Sequence, residues 1–91
     1  MSSPIQHDAA AQRFTLTLDG HEAELVYRLQ HLRMIIVHTG VPQAIGGKGV
    51  AGELVKAALE YARAEGLRVV AACSYSAAYV QRHPEYADLL A

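Results

Sequence analysis

Tryptophan is absent from this 91-residue chain, and cysteine and phenylalanine occur once each. A single cysteine excludes an internal disulfide, so apolar burial alone must hold the fold, and a free thiol favours the reducing cytoplasm. Long hydrophobic runs are also missing. The longest, Val69 to Cys73, is five residues, far short of the roughly 18 that a membrane span needs. Neither sign of charge dominates: 8 Lys and Arg stand against 9 Asp and Glu, for a formal net charge of -1. With no basic block to track a phosphate backbone, neither nucleic acid nor a membrane surface is an expected partner. The opening residues MSSPIQHDAAAQRF carry neither a basic start nor a continuous apolar stretch, and no secretion signal is expected there. What is plentiful is apolar. At 52% hydrophobic and 19% charged, the chain has the composition of one compact domain, large enough to fold without staples and too small for two cores.

Residues 1–12 mix Ser, Pro, Gln, His, Asp and Ala without a period and are expected to form a mobile tail ahead of a single domain over residues 13–91. Phe14, Leu16 and Leu18 then alternate with polar residues, Asp19-Gly20 interrupts, and Ala23, Leu25, Tyr27 and Leu29 resume the alternation. This pattern predicts a β-hairpin with an Asp-Gly turn. Met34 to Val37 is continuously apolar and runs on through His38 and Thr39, as a central strand covered on both faces would. Pro42 and the glycines at 46, 47 and 49 break the pattern, and from Val50 the period becomes 3.6. Val50, Leu54, Ala58 and Tyr61 share one helical face, with Glu53, Lys56, Glu60 and Arg63 opposite, until Gly66 offers a cap. Leu67 to Cys73 follows as a Val-rich strand, and a short helix from about Ser76 is halted by Pro84. Strand, helix, strand from Met34 to Cys73 is a βαβ unit with parallel strands in an α/β (α+β mixed-sheet) domain. Its geometry brings His38-Thr39, the glycine loop and Cys73-Ser74 to one sheet edge, where open α/β sheets bind ligands.

Gly47-Lys48-Gly49-Val50-Ala51-Gly52 matches G-x-G-x-x-G, yet its setting does not suit a dinucleotide. The preceding loop is long for a tight turn, Cys73-Ser74 stands where an acidic ribose ligand belongs, and the chain is too short for two mononucleotide halves. A P-loop fails as well, since Gly49 follows Gly47-Lys48 where a hydroxyl must hold magnesium. What remains is a set of side-chain-free backbone amides and a helix N-terminus converging on one place, which suits a pyrophosphate. The same glycines could simply make a flexible turn, with Gly52 permitting close packing.

His38-Thr39-Gly40-Val41-Pro42, Gly47-Lys48-Gly49-Val50-Ala51, Cys73-Ser74-Tyr75, Ala78-Tyr79-Val80 and His83-Pro84-Glu85-Tyr86 together resemble the minimal single-domain members of the GNAT acetyltransferase superfamily. The resemblance spans about Phe14 to Leu90. It implies acetyl-CoA as donor, with its pyrophosphate on Gly46, Gly47, Lys48, Gly49, Val50, Ala51 and Gly52. It also implies a pantetheine arm between two splayed parallel strands, with Val37, Thr39 and Tyr79 as further contacts. Two positions depart from the pattern. Gly46 stands where the superfamily signature has Gln or Arg, so the phosphates would rely on backbone, and Gly40 replaces the more usual glutamate of the His-Thr-Glu-Val-Pro segment.

Acyl transfer from a thioester needs a polarised carbonyl and an acceptor losing its proton. Cys73, at a strand end before a helix N-terminus, is the candidate nucleophile, and similar minimal family members carry a cysteine there; the same residue also fits a small buried hydrophobe. His38 is the candidate base or hydrogen-bond partner, against a histidine satisfied by backbone. Tyr75 and Tyr79, four apart, suit either a pocket wall or core packing, and Lys48 either a phosphate contact or a solvated loop residue. His83 and Tyr86 are expected to anchor the C-terminal segment. His83-Pro84-Glu85 lacks the paired cysteines of a zinc deaminase, and no metal is expected. The expected activity is acetyl-CoA-dependent N-acetyl transfer to an amine of small-molecule, polyamine or protein origin. A noncatalytic acyl-CoA-binding or sensing module is the alternative, favoured by Gly40, and a cofactor-free interaction domain is a third.

Overall fold

The structure, a computed structural model, describes residues 5–91. Five strands form one sheet in the order β1 (Ile5–Asp8), β2 (Arg13–Leu18), β3 (His21–Gln30), β4 (Arg33–Gly40), β5 (Arg68–Ala71). The first four are antiparallel neighbours and β4 pairs with β5 in parallel. Helix α1 (Val50–Glu65) makes the crossover, and α2 (Ser74–Arg82) and a 3-10 segment (Pro84–Leu89) complete the chain. The expected βαβ unit is present, and Asp19 (φ 52°) and Gly20 (φ 75°) make the hairpin turn that Asp-Gly favours.

Residues 5–12 correct the expectation of a tail: Ile5–Asp8 pairs with β2, Ile5 opposite Leu16 and His7 opposite Phe14. His7 stacks on Phe14 with ring centroids 4.0 Å apart and hydrogen-bonds the Tyr27 hydroxyl. A histidine thus serves as the apolar member of a four-residue alternation, too short for a period to be read. Residues 1–4 of that predicted tail lie outside the described residues.

Burial is confined to one sheet face. Phe14, Leu16, Leu25, Tyr27, Met34, Ile36 and Val69 are buried there with Leu54, Val55, Ala58, Leu59 and Ala62 of α1, each large aliphatic side chain contributing about 1.5–3 kcal/mol. The other face, with Thr15, Glu24, Val26 and Ile35, stays partly open. Strand β4 is therefore covered on one face rather than two, and Val37 is 42% exposed. The apolar run alternates between the two faces, Met34 and Ile36 buried and Ile35 on the open one, and it ends in a bulge. Pairing with β3 runs Leu29↔Met34, Arg28↔Ile35, Tyr27↔Ile36, then resumes as Val26↔His38, Leu25↔Thr39, Glu24↔Gly40, leaving Val37 as the extra residue.

Helix α1 ends on Gly66 in the left-handed conformation, φ 71°, with its N–H on the Ala62 and Arg63 carbonyls, as its sequence position predicts. The C-terminal segment is strapped back onto α1: the Tyr86 hydroxyl donates to Glu60 at 2.6 Å, and Arg63 donates to Asp88 at 2.9 Å. His83 stacks on Tyr79 with centroids 3.9 Å apart. Among the described residues no helix is long and apolar enough to cross a membrane.

Candidate active site

The bulge decides what meets at the C-terminal edge of the sheet. Side chains alternate along a strand, so one extra residue exchanges the faces of everything after it. Thr39 thereby turns to the helix side, opposite buried Leu25, and His38 turns to the open face, opposite Val26. The two predicted catalytic residues part company: Cys73 Sγ lies 3.4 Å from Thr39 Oγ1, whereas His38 Nε2 lies 3.7 Å from Glu24 Oε2.

Parallel pairing stops at Ile36↔Ala71. The Ile36 carbonyl takes both the Ala72 N–H (3.1 Å) and the Cys73 N–H (3.0 Å), after which β5 turns into α2. Beyond Ile36, among the described residues, the backbone of β4 has no partner on its β5 side. Cys73 is the N-cap of α2, and its sulfur accepts from the Ser76 N–H at 3.3 Å. Burial pushes the thiol up, but the hydrogen bonds from Ser76 and Thr39, with the Ser76 and Tyr75 backbone, outweigh it and hold the pKa below the ordinary thiol value. These hydrogen bonds favour the ionised form of the thiol.

The glycine loop lies alongside. Gly47 (φ 77°) and Gly49 (φ 76°) are left-handed, and nothing lies within 4 Å of where a Cβ would project from either. Backbone conformation, not crowding, is what calls for glycine there. Gly49 caps α1 without a side chain. Among the described residues, the amides of residues 47–52 have no acceptor, the first helical bond being Glu53 N–H to the Gly49 carbonyl at 3.0 Å. Four free donors are inherent to a helix start, and here the loop adds to them. These amides border a cavity of about 240 Å³ lined by Val41, Ile45, Gly46, Gly47, Gly49, Val50, Ala51 and Tyr75.

Other predicted contacts are placed differently. The Gly46 N–H is taken by the Gln43 carbonyl at 3.0 Å. Lys48 reaches across to Asp19, 3.4 Å away on the β2–β3 turn. Gly52 lies under α2, where a Cβ would sit 3.4 Å from the Tyr75 hydroxyl and 3.5 Å from Tyr79 Cε2. Tyr75, rather than Tyr79, lines the cavity, while Tyr79 packs on His83. A larger apolar groove of about 400 Å³ crosses the far side of α2 between Ala71, Ala77, Val80, Pro84 and Leu90, and none of the predicted site residues lines it. Sequence reasoning missed Ile45, whose signal is an isolated aliphatic residue in a glycine-rich loop, and Glu24, whose placement depends on register. Among the described residues no group of three or more His, Cys, Asp or Glu is arranged to hold a metal ion.

Comparison with known proteins identifies the family. Residues 13–89 match the GCN5-related N-acetyl-transferase family. The chain is similar to protein NATD1 of Gallus gallus, 37% identical over 83 residues that span 88% of this chain and 76% of the relative. It is similar to protein NATD1 of Homo sapiens at 37% identity, spanning 88% and 74%. Among solved structures, the NMR solution structure of a GCN5-like protein of Staphylococcus aureus superposes with a TM-score of 0.77 at 31% identity, covering 100% of this chain and 91% of the other.

Proposed function

The chain belongs to the GCN5-related N-acetyltransferase family, and from that premise we propose that it transfers the acetyl group of acetyl-CoA to an amine. The observation that carries this reading is the run of unpartnered amides from Gly47 to Gly52, in a fold where the end of β4 is left without a β5 partner. Amides and a helix N-terminus suit a diphosphate. The β5 side of the backbone from Val37 to Thr39, left unpaired, suits the amide groups of a pantetheine arm, and the cavity is lined by glycines, aliphatic residues and Tyr75.

Acetyl-CoA supplies an activated thioester; the chain's own residues bind, orient and manage protons. Thr39 and the Ser76 N–H hold Cys73 toward its thiolate form on the helix side of β4. In that form Cys73 serves as nucleophile or proton acceptor. On the open side, His38 is available to take the proton of an incoming ammonium group. Because the two lie on opposite faces of one strand, they act separately and not as a hydrogen-bonded dyad. A working free thiol fits a reducing cytoplasmic setting.

Gly40 supports a second reading, an acyl-CoA sensor that binds without transfer, because no acid stands at that position. Calorimetric titration with acetyl-CoA, with NAD as control, followed by thiol-release assays over a panel of small amines, polyamines and lysine peptides, separates the two. Saturable binding of acetyl-CoA alone with release on at least one amine is expected. Binding without release across the panel would favour the sensor, and no binding by a folded sample would remove the donor assignment.

A further inference from the structure

We propose that Glu24 is a positioning residue for His38, supplying from the neighbouring strand the carboxylate that position 40 lacks; the inference rests on the acetyl-transfer reading above. In the β3–β4 register Glu24 is the direct partner of Gly40, and Val26 of His38, so Glu24 and His38 share the open face as diagonal neighbours. That diagonal is within reach of long side chains. Glu24 Oε2 lies 3.7 Å from His38 Nε2, and its other oxygen accepts from Arg13 at 3.0 Å.

Gly40 completes the arrangement. A Cβ at position 40 would lie 2.8 Å from His38 Nε2, closer than real Cβ contacts come. The imidazole ring occupies that space, so a side chain at 40 would require the exposed His38 ring to move from its present place beside Glu24.

The chemistry follows from which nitrogen faces the carboxylate. With Nε2–H toward Glu24, Nδ1 presents its lone pair outward. A proton taken from an acceptor ammonium at Nδ1 makes an imidazolium that the Glu24 carboxylate balances, and the proton then passes to water, since the His38 side chain is 56% exposed. By strand alternation the charged groups on this sheet face are Asp8, Arg13, Glu22, Glu24, Arg28, Arg33 and Arg68. Arg13 bridges Glu22 (3.3 Å) and Glu24 (3.0 Å), which fixes the Glu24 carboxylate while leaving Oε2 toward His38.

The test has two arms on the folded full chain, with thermal melting as the check of folding. In the first, heteronuclear NMR follows the His38 ring signals without substrate. Glu24→Gln and Gly40→Ala should each displace them, while Glu22→Gln leaves them in place. Ring signals indifferent to Glu24→Gln would overturn the pairing, whatever the activity. In the second, steady-state transfer is measured for Glu24→Gln, His38→Gln and the double variant. His38→Gln should lower kcat about 100-fold, as loss of a general base does, and Glu24→Gln about fivefold, the scale of an exposed ion pair. The KM for acetyl-CoA should be unchanged, and the double variant no slower than His38→Gln alone. Additive losses would overturn the positioning role. An intact pair in a protein that acetylates no amine would overturn the acetyl-transfer reading and leave Glu24–His38 a structural contact.

Discussion

Two helices begin at the same edge of this sheet, and they begin in opposite ways. Helix α1 starts from left-handed Gly49 with no side-chain cap and a run of unpartnered amides, whereas α2 starts from Cys73, whose sulfur takes the Ser76 N–H. Both N-termini carry the same partial positive charge. On the reading proposed here, one offers it to an anion from outside, while the other spends it on a group of the protein itself. A helix start can thus act as a receptor or as a tuning device, depending on whether its cap residue has a side chain.

The contrast is broken most severely at Gly49. Gly49→Val forces a β-branched residue to φ near 76°, a strain of about 1–3 kcal/mol, and fills open space next to the loop. Acetyl-CoA binding measured by calorimetry should weaken at least about tenfold, and unchanged affinity in a folded variant would show that α1 is no receptor. Next is Cys73→Ala, which removes the cap at a cost of about 0.5–1 kcal/mol in chemical denaturation. It should leave acetyl-CoA affinity similar and abolish any acetyl adduct seen by intact mass spectrometry; an adduct that persists takes the thiol out of covalent chemistry.

A finer cut is Thr39→Val. Wild-type Cys73 should alkylate with iodoacetamide at a midpoint below the ordinary thiol value of 9.0, because its folded pKa is lowered. Removing the Thr39 hydroxyl deletes one of the bonds that favour thiolate, and the midpoint should rise. The linkage has a definite sign: the thiolate stabilises the fold fully above the unfolded value, and that contribution is lost as pH falls through the folded one. A midpoint unmoved by Thr39→Val would leave the α2 start to act alone. The smallest effect is at Gly52, where a methyl would only touch Tyr75 and Tyr79 at ordinary contact distance. Gly52→Ala should raise stability by up to about 1 kcal/mol through helix propensity, seen as a higher Tm. A loss instead would mean the two helices pack more tightly than that distance allows.

Much of this was legible from the residues. Periodicity and Gly66 located α1 over Val50–Glu65, Asp19-Gly20 located the hairpin turn, and the change of period at Val50 gave the βαβ unit and hence the edge proposed for the site. The bulge at Val37 was not legible, because a register shift is a property of two strands and leaves no mark on one. Without it His38 would oppose Leu25 on the helix side, whereas the sequence placed it only at the same sheet edge as Cys73. The turn at His31-Leu32, φ 48° and 65°, carries no glycine to announce it. Strand β1 escaped for a third reason, since His7 plays an aromatic part among apolar neighbours.

The Thr39–Cys73 contact joins residues on either side of the α1 crossover, which gives it a meaning in time as well as in space. The β1–β4 meander closes through short turns, but the parallel pairing of β4 with β5 must wait for the whole helix between them to be placed, and such nonlocal pairings are the slow ones. The thiol meets the Thr39 hydroxyl only when that last pairing is made, whereas its bond from the Ser76 N–H is local to the start of α2. During refolding its reactivity should therefore lag the appearance of sheet and helix, making Cys73 a clock for the moment at which this chain becomes competent.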